Sequence, residues 1–237
     1  MSIDVIGEFL GTMVLILLGN GVNANNSLKG SNGQGTGWVL ITLGWGLAVM
    51  VAVTVSGFFS PAHINPAVTI ANAVIGNIGW GTAVQYVIAQ MLGAMVGQLL
   101  VYVAYQPLWA DSEPGAVFGS FATAPVKRSN LWNFLTEAIG TAVLVIGALS
   151  MTPNELTSGL GPFVIGGVVL AIGMSLGGTT GYAVNPARDL GPRIVYALLP
   201  MENKGSAQWD YSWIPVLGPI TGGIVGALLY NLVLVAL

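Results

Sequence analysis

The sequence contains no cysteine and only one histidine, His63. Disulfides, thiol chemistry and thiolate or multi-histidine metal sites are thereby excluded, and no cofactor is expected. Charge is almost as scarce. Only 6% of the 237 residues are Asp, Glu, Lys or Arg, against about 25% in a soluble domain. Six Lys and Arg cannot build the basic footprint that a nucleic-acid partner requires. No nucleophile–base set is visible, which argues against an enzyme. The N-terminus lacks the basic stretch and small-residue cleavage site of a secretory signal, so it reads as a retained first span.

Apolar and small residues fill the place of these groups. The chain is 54% hydrophobic and holds 34 glycines. It reads as a multi-pass protein of the cell membrane, with the lipid bilayer as solvent and glycines for close helix packing. Six apolar runs are long enough to span, at 4–23, 37–58, 81–108, 131–151, 160–179 and 211–236.

Two further apolar stretches are too short. Each follows the triplet Asn-Pro-Ala, at 65–67 and 185–187. Asn is a favoured helix N-cap and Pro is favoured at the first helical position, so each triplet predicts a helix start. Pro66 to Gly76 is 11 residues, or roughly 16 Å, about half of a bilayer core. The stretch from Pro186 is similar. The order is thus span, span, half-helix, span, and then the same again.

Three spans per unit reverse the second unit in the membrane, which is the inverted-repeat plan with half-helices meeting near the midplane. Glu8-Phe-Leu-Gly-Thr12 matches Glu137-Ala-Ile-Gly-Thr141, and Gly93-Ala-Met-Val-Gly97 matches Gly222-Gly-Ile-Val-Gly226. The fold expected is an all-α membrane protein with six transmembrane helices and two re-entrant half-helices. We read a single domain over 1–237, with a first repeat at 1–108, a linker at 109–130 and a second repeat at 131–237. A polar loop is expected at Asn23–Gly37 and another at Met201–Asp210. Asn25-Asn-Ser27 matches a glycosylation sequon.

Several residues point to chemistry. A capping Asn spends its oxygen on a backbone N–H and keeps its NH₂ for donation. Asn65 and Asn185 could then occupy the lone pairs of a passing oxygen atom where the two half-helices meet. Each helix start adds about half a positive charge against cations. Arg188 lies on the first turn of the second half-helix, where an intramembrane charge is functional by default and its donors suit hydroxyls or carbonyls. Glu8 and Glu137 have two readings, as a proton relay or as acceptors for the non-helical backbone of the re-entrant loops; their symmetry favours loop support. His63 is read as structural, with a lumen or gate role as the alternative. Asp189 and Arg193, four apart, read as loop architecture.

The paired Asn-Pro-Ala boxes, the two Glu-x-x-Gly-Thr starts and Asn185-Pro-Ala-Arg-Asp189 resemble the major intrinsic proteins, the aquaporin family, over nearly the whole chain. The resemblance supplies a selectivity filter of Trp45, Gly173, Tyr182 and Arg188. Water-selective relatives usually carry Phe, His and a small residue where Trp45, Gly173 and Tyr182 stand. Glycerol-conducting relatives usually carry Trp, Gly and Phe. This chain is similar to the glycerol type, with Tyr182 in place of Phe. Gly173 is expected to leave the width that a His would fill, and carbonyls around Phe59–Ala62 and Thr179–Tyr182 to accept along the path.

The resemblance therefore implies a passive channel for glycerol and similar small uncharged solutes, with some water, that excludes ions and protons. Dihydroxyacetone, urea and protonated lactic acid stay open as solutes. It also implies a homotetramer with one pore per subunit and both termini in the cytoplasm. Two alternatives remain: a water-selective aquaporin, and a proton-coupled secondary transporter of small solutes that would use Glu8 and Glu137.

Overall fold

The computed structural model describes residues 2–151 and 153–235. The chain forms α1 (Ile3–Ser27), α2 (Trp38–Ser56), α3 (Pro66–Val74), α4 (Trp80–Ala104), a 3₁₀ turn at Gln106–Leu108, α5 (Pro114–Gly119), α6 (Asn130–Leu149), α7 (Gly161–Leu176), α8 (Pro186–Leu198) and α9 (Ile214–Val235). Among the described residues there is no strand.

α1, α2, α4, α6 and α9 are long and apolar enough to cross a bilayer. α7 has 16 residues, so its helical part rises about 24 Å. It is shorter than the run 160–179 predicts because Gly177–Thr180 leaves the helix as a turn. Large apolar side chains face outward along the spans, among them Val39, Val84 and Leu232. In lipid this surface is in its proper solvent, while every backbone polar group must be satisfied within the protein.

α3 and α8 have 9 and 13 residues, too short to span. Asn65 caps α3 by accepting from the Ala67 N–H, and Asn185 caps α8 by accepting from the N–H groups of Ala187 and Arg188. α1 packs closely on α4, and α6 on α9. Glycine permits both approaches. A Cβ on Gly97 would stand 3.0 Å from Ile16 Cβ, and one on Gly226 would stand 2.7 Å from the Ala142 carbonyl oxygen. α1 and α6 also contact α2 and α7, which contact each other. The half-helices cross over: α3 lies against α9, and α8 against α4.

One boundary differs from expectation. α1 continues to Ser27, so Asn23 is a buried helical residue and the loop begins at Leu28. The sequon lies on the last turn of α1, where the Asn25 side chain accepts from the Gly33 N–H. The reason is tertiary, since Asn20 and Asn23 find polar partners on neighbouring elements. The 109–130 linker has structure of its own. It carries α5, and its Trp109, Val117 and Phe121 are buried with Tyr196 and Met201. Lys29, Lys127, Arg128 and Lys204 all sit at this end of the bundle. There the Lys29 N–H meets Ser112 Oγ at 2.9 Å, Asn203 donates to the Trp109 carbonyl at 2.8 Å, and Arg128 pairs with Asp210.

Candidate functional site

The loops that lead into α3 and α8 are irregular backbone inside the bundle, and each is held by an acid from a spanning helix. Glu8 of α1 accepts from the N–H groups of His63 (2.9 Å) and Ile64 (2.7 Å), from Ser60 Oγ (2.8 Å) and from Gln90 Nε2 (2.8 Å). Glu137 of α6 accepts from the N–H groups of Ala183 (3.0 Å) and Val184 (2.8 Å). Both acids are buried. Their partners are loop backbone, the loop residue Ser60 and Gln90 of α4. They stand behind the loops, and neither lines the central cavity.

The cost of this arrangement shows in the backbone. Ala62, Ile64, Tyr182 and Val184 have φ of 55°, 43°, 38° and 43°. A non-glycine residue in this left-handed region costs about 1–3 kcal/mol and persists only where its surroundings enforce it. Here the carboxylates do so, by collecting successive N–H groups. Carbonyls that a regular helix would consume are thereby released.

Asn65 and Asn185 then tie the loops to each other. Asn65 Nδ2 donates to the Val184 carbonyl, and Asn185 Nδ2 to the Ile64 carbonyl, each at 2.9 Å. One N–H of each amide is used in this way. The expectation of a wholly free NH₂ on each Asn narrows to one remaining donor each.

Beside these residues runs a cavity of about 510 Å³. Its wall includes Trp45, His63, Asn65, Tyr182, Asn185 and Arg188, with apolar side chains from α1, α2, α6 and α7. The Arg188 guanidinium lies 4.4 Å from the centroid of the Trp45 ring, a cation–π pair. Arg188 is 5% exposed, and among the described residues its Nη1 has no acceptor and it forms no ion pair. A fixed cation with an unused donor therefore stands at the wall. The Tyr182 hydroxyl is likewise buried, with no partner among the described residues.

Gly173 is placed differently from expectation. It does not line the cavity. A Cβ on it would come 2.8 Å from Tyr182 Cζ and 3.0 Å from Thr42 Cγ2. The open width expected beside Gly173 is instead filled by the Tyr182 ring, which also meets Trp38 edge-on at 5.7 Å. Trp38 Nε1 donates to the Gly173 carbonyl at 3.1 Å, which closes the cluster from behind.

His63 lines the cavity, with Nδ1 3.2 Å from Thr69 Oγ1 and its ring edge-on to Tyr86. Asp189 and Arg193 are fully buried and absent from the cavity wall. Arg193 donates to Asp189 Oδ1 (2.8 Å), to the Thr123 carbonyl (2.9 Å) and to the Ala207 carbonyl (2.7 Å), and Asp189 accepts from Thr123. The pair fastens α8 to both outer connections.

Sequence reasoning missed four buried amides, Asn20, Asn23, Gln90 and Gln98. Gln90 bridges Glu8 and Thr69. Asn20 donates to Gln98 at 2.6 Å, and Asn23 accepts from Trp45 at 3.1 Å. The available signal was spacing. Asn20 and Asn23 are three apart on an apolar helix, Gln90 and Gln98 eight apart, and polar side chains within spans are functional candidates.

The sequence profile of the family described as "Major intrinsic protein" matches residues 2–230. Glycerol uptake facilitator protein 3 of Lactiplantibacillus plantarum is 53% identical over 232 residues, which is 98% of this chain and 97% of that protein. A probable glycerol uptake facilitator of Thermotoga maritima is 52% identical, over 95% of this chain and 97% of its own length. The X-ray structure of the aquaglyceroporin from Plasmodium falciparum superposes with a TM-score of 0.87 at 33% identity, covering 98% of this chain and 96% of that one.

Proposed function

The chain belongs to the major intrinsic protein family, and on that footing we propose that it is a passive channel for glycerol and similar small uncharged solutes, with some water. It is a multi-pass membrane channel and not an enzyme. The observation that carries the solute class is the Trp45–Arg188 pair at the cavity wall. Glycerol has a carbon edge and a hydroxyl edge. Trp45 and the Tyr182 ring offer apolar surface to the first, and Arg188 offers donors to the second. Released loop carbonyls accept further along. The relatives named glycerol uptake facilitators support the same class.

Exclusion of ions and protons is assigned to the half-helix starts at Asn65 and Asn185 together with the fixed charge of Arg188. Glu8 and Glu137 are assigned to loop support, and on the family resemblance the assembly is a homotetramer. The test is stopped-flow light scattering on proteoliposomes under water, glycerol and urea gradients. Glycerol flux well above the lipid background, with little saturation, is expected. High water flux with background glycerol flux would make this a water pore. Saturable uptake coupled to a pH gradient would make it a transporter.

A further inference from the structure

Trp45 is held by α1. Its indole N–H donates to Asn23 Oδ1 at 3.1 Å. One turn earlier on α1 stands Gly19, where a Cβ would come within 2.6 Å of Trp45 Cε3. Arg188 lies over the same ring. So α1 supplies both a flat seat and a polar anchor for the aromatic wall.

Asn23 is itself fixed. Its Nδ2 donates to the Gly119 carbonyl of α5 at 3.2 Å and to Asn20 Oδ1 at 3.4 Å. With both N–H groups on oxygen acceptors, the amide cannot turn over without setting a donor against the indole N–H. Asn20 continues the chain of bonds to Gln98 (2.6 Å) and to the Phe121 carbonyl (2.8 Å). Trp45 and all three amides are at most 6% exposed.

We infer that Asn23 is a positioning residue for solute selection: it sets the plane of the Trp45 ring and withdraws the indole donor from the bore. Trp45 then presents carbon to the solute, and hydroxyl recognition is left to Arg188. Without the anchor, the buried indole N–H loses its acceptor and the ring loses its fixed plane. The inference rests on the glycerol-channel reading.

The test combines flux with a spectrum. Glycerol and water permeabilities are measured in proteoliposomes for the parent, Asn23→Leu, Asn23→Asp and Asn20→Leu. The Trp45 indole N–H resonance is followed in 15N-tryptophan-labelled full-length protein, assigned with Trp45→Phe. Asn23→Leu should lower the glycerol-to-water ratio about three- to tenfold, the weight of one lost hydrogen bond, and move the Trp45 resonance. Asn23→Asp, which keeps an acceptor, should bring both back toward the parent. Asn20→Leu removes only the longer of the two Asn23 donations; the Gly119 carbonyl still orients the amide, so both readouts should stay near the parent.

An unchanged ratio in Asn23→Leu overturns the inference, and so does an equal change in Asn20→Leu. If Asn23→Leu does not fold, Asn23→Ser, too short to reach the indole, is read in its place. If the parent itself conducts no glycerol, the channel reading falls. The resonance then judges Asn23 alone, and an unmoved peak overturns its role.

Discussion

Asn65 and Asn185 are cross-bonded: each donates one amide N–H, at 2.9 Å, to the carbonyl of the residue that precedes the other. Each side chain therefore does three things. It caps its own half-helix, it fastens the opposite loop, and it keeps one donor. The two loops are locked in register by the same groups proposed to meet the solute.

Replacing Asn185 by Asp keeps the cap but removes the donor to Ile64, and it sets a carboxylate between two positive helix ends. We expect Asn185→Asp to leak protons or small cations. Arg188→Val removes the fixed cation and should leak less, with neutral-solute flux retained or raised. The measurement is pH-dye or voltage-clamp conductance, with glycerol uptake in parallel to confirm folding. If both variants conduct glycerol and stay as tight as the parent, exclusion lies in the backbone dipoles alone.

Gly173 acts through Tyr182. A Cβ at 173 would meet the tyrosine ring and Thr42, and an imidazole would drive the ring toward the cavity. Gly173→His should lower glycerol flux on the order of tenfold, an added barrier of about 1.4 kcal/mol, and lower water flux much less. Adding Tyr182→Ala should restore glycerol. Proportional loss of both solutes in a folded protein would show that position 173 does not act on the constriction.

The acids behind the loops should rank by their capacity to accept. Glu8 takes four hydrogen bonds and Glu137 at least the two from Ala183 and Val184. Gln keeps one acceptor but turns an NH₂ toward a donor, while Leu keeps none. Each abandoned buried donor costs about 1–3 kcal/mol. Thermal unfolding in detergent should order the variants Glu, Gln, Leu at both sites. A stable Gln variant without transport would revive the proton-relay reading.

The Asp189–Arg193 pair is wholly buried, so breaking it on one side leaves a lone charge. Arg193→Leu should destabilise by about 3–5 kcal/mol. Asp189→Asn combined with Arg193→Leu should recover part of that loss, read from the same unfolding curves. A double variant no better than the single would show that the lost carbonyl contacts, and not the stranded carboxylate, set the cost.

The spans and the half-helix starts were legible because a bilayer imposes a length and Asn-Pro is a local signal of a cap. Loop geometry was not. Nothing local in Ala62, Ile64, Tyr182 or Val184 announces a positive φ, which is enforced by acids that lie 45 to 56 positions away at Glu8 and Glu137. Gly173 was legible as a small residue near the filter, but not the neighbour that would claim its space. Asn23 was misread because polarity at the end of a run suggests a loop. Its partner, Trp45, is 22 positions on and belongs to another helix.

A ribosome delivers this chain from one end, and the crossed packing of the half-helices gives that direction a consequence. The carbonyl that receives Asn65 is 119 residues further along, and α3 rests on α9, which is made after all the other described helices. Until then, Glu8 holds the loop before α3, α4 lies beside it, and one flank is unfinished. Closure of the bore is thus an event of late biogenesis. A chain cut short before α9 would be an open-sided intermediate, exposed to the proteases and chaperones that police membrane insertion, with no pore to leak.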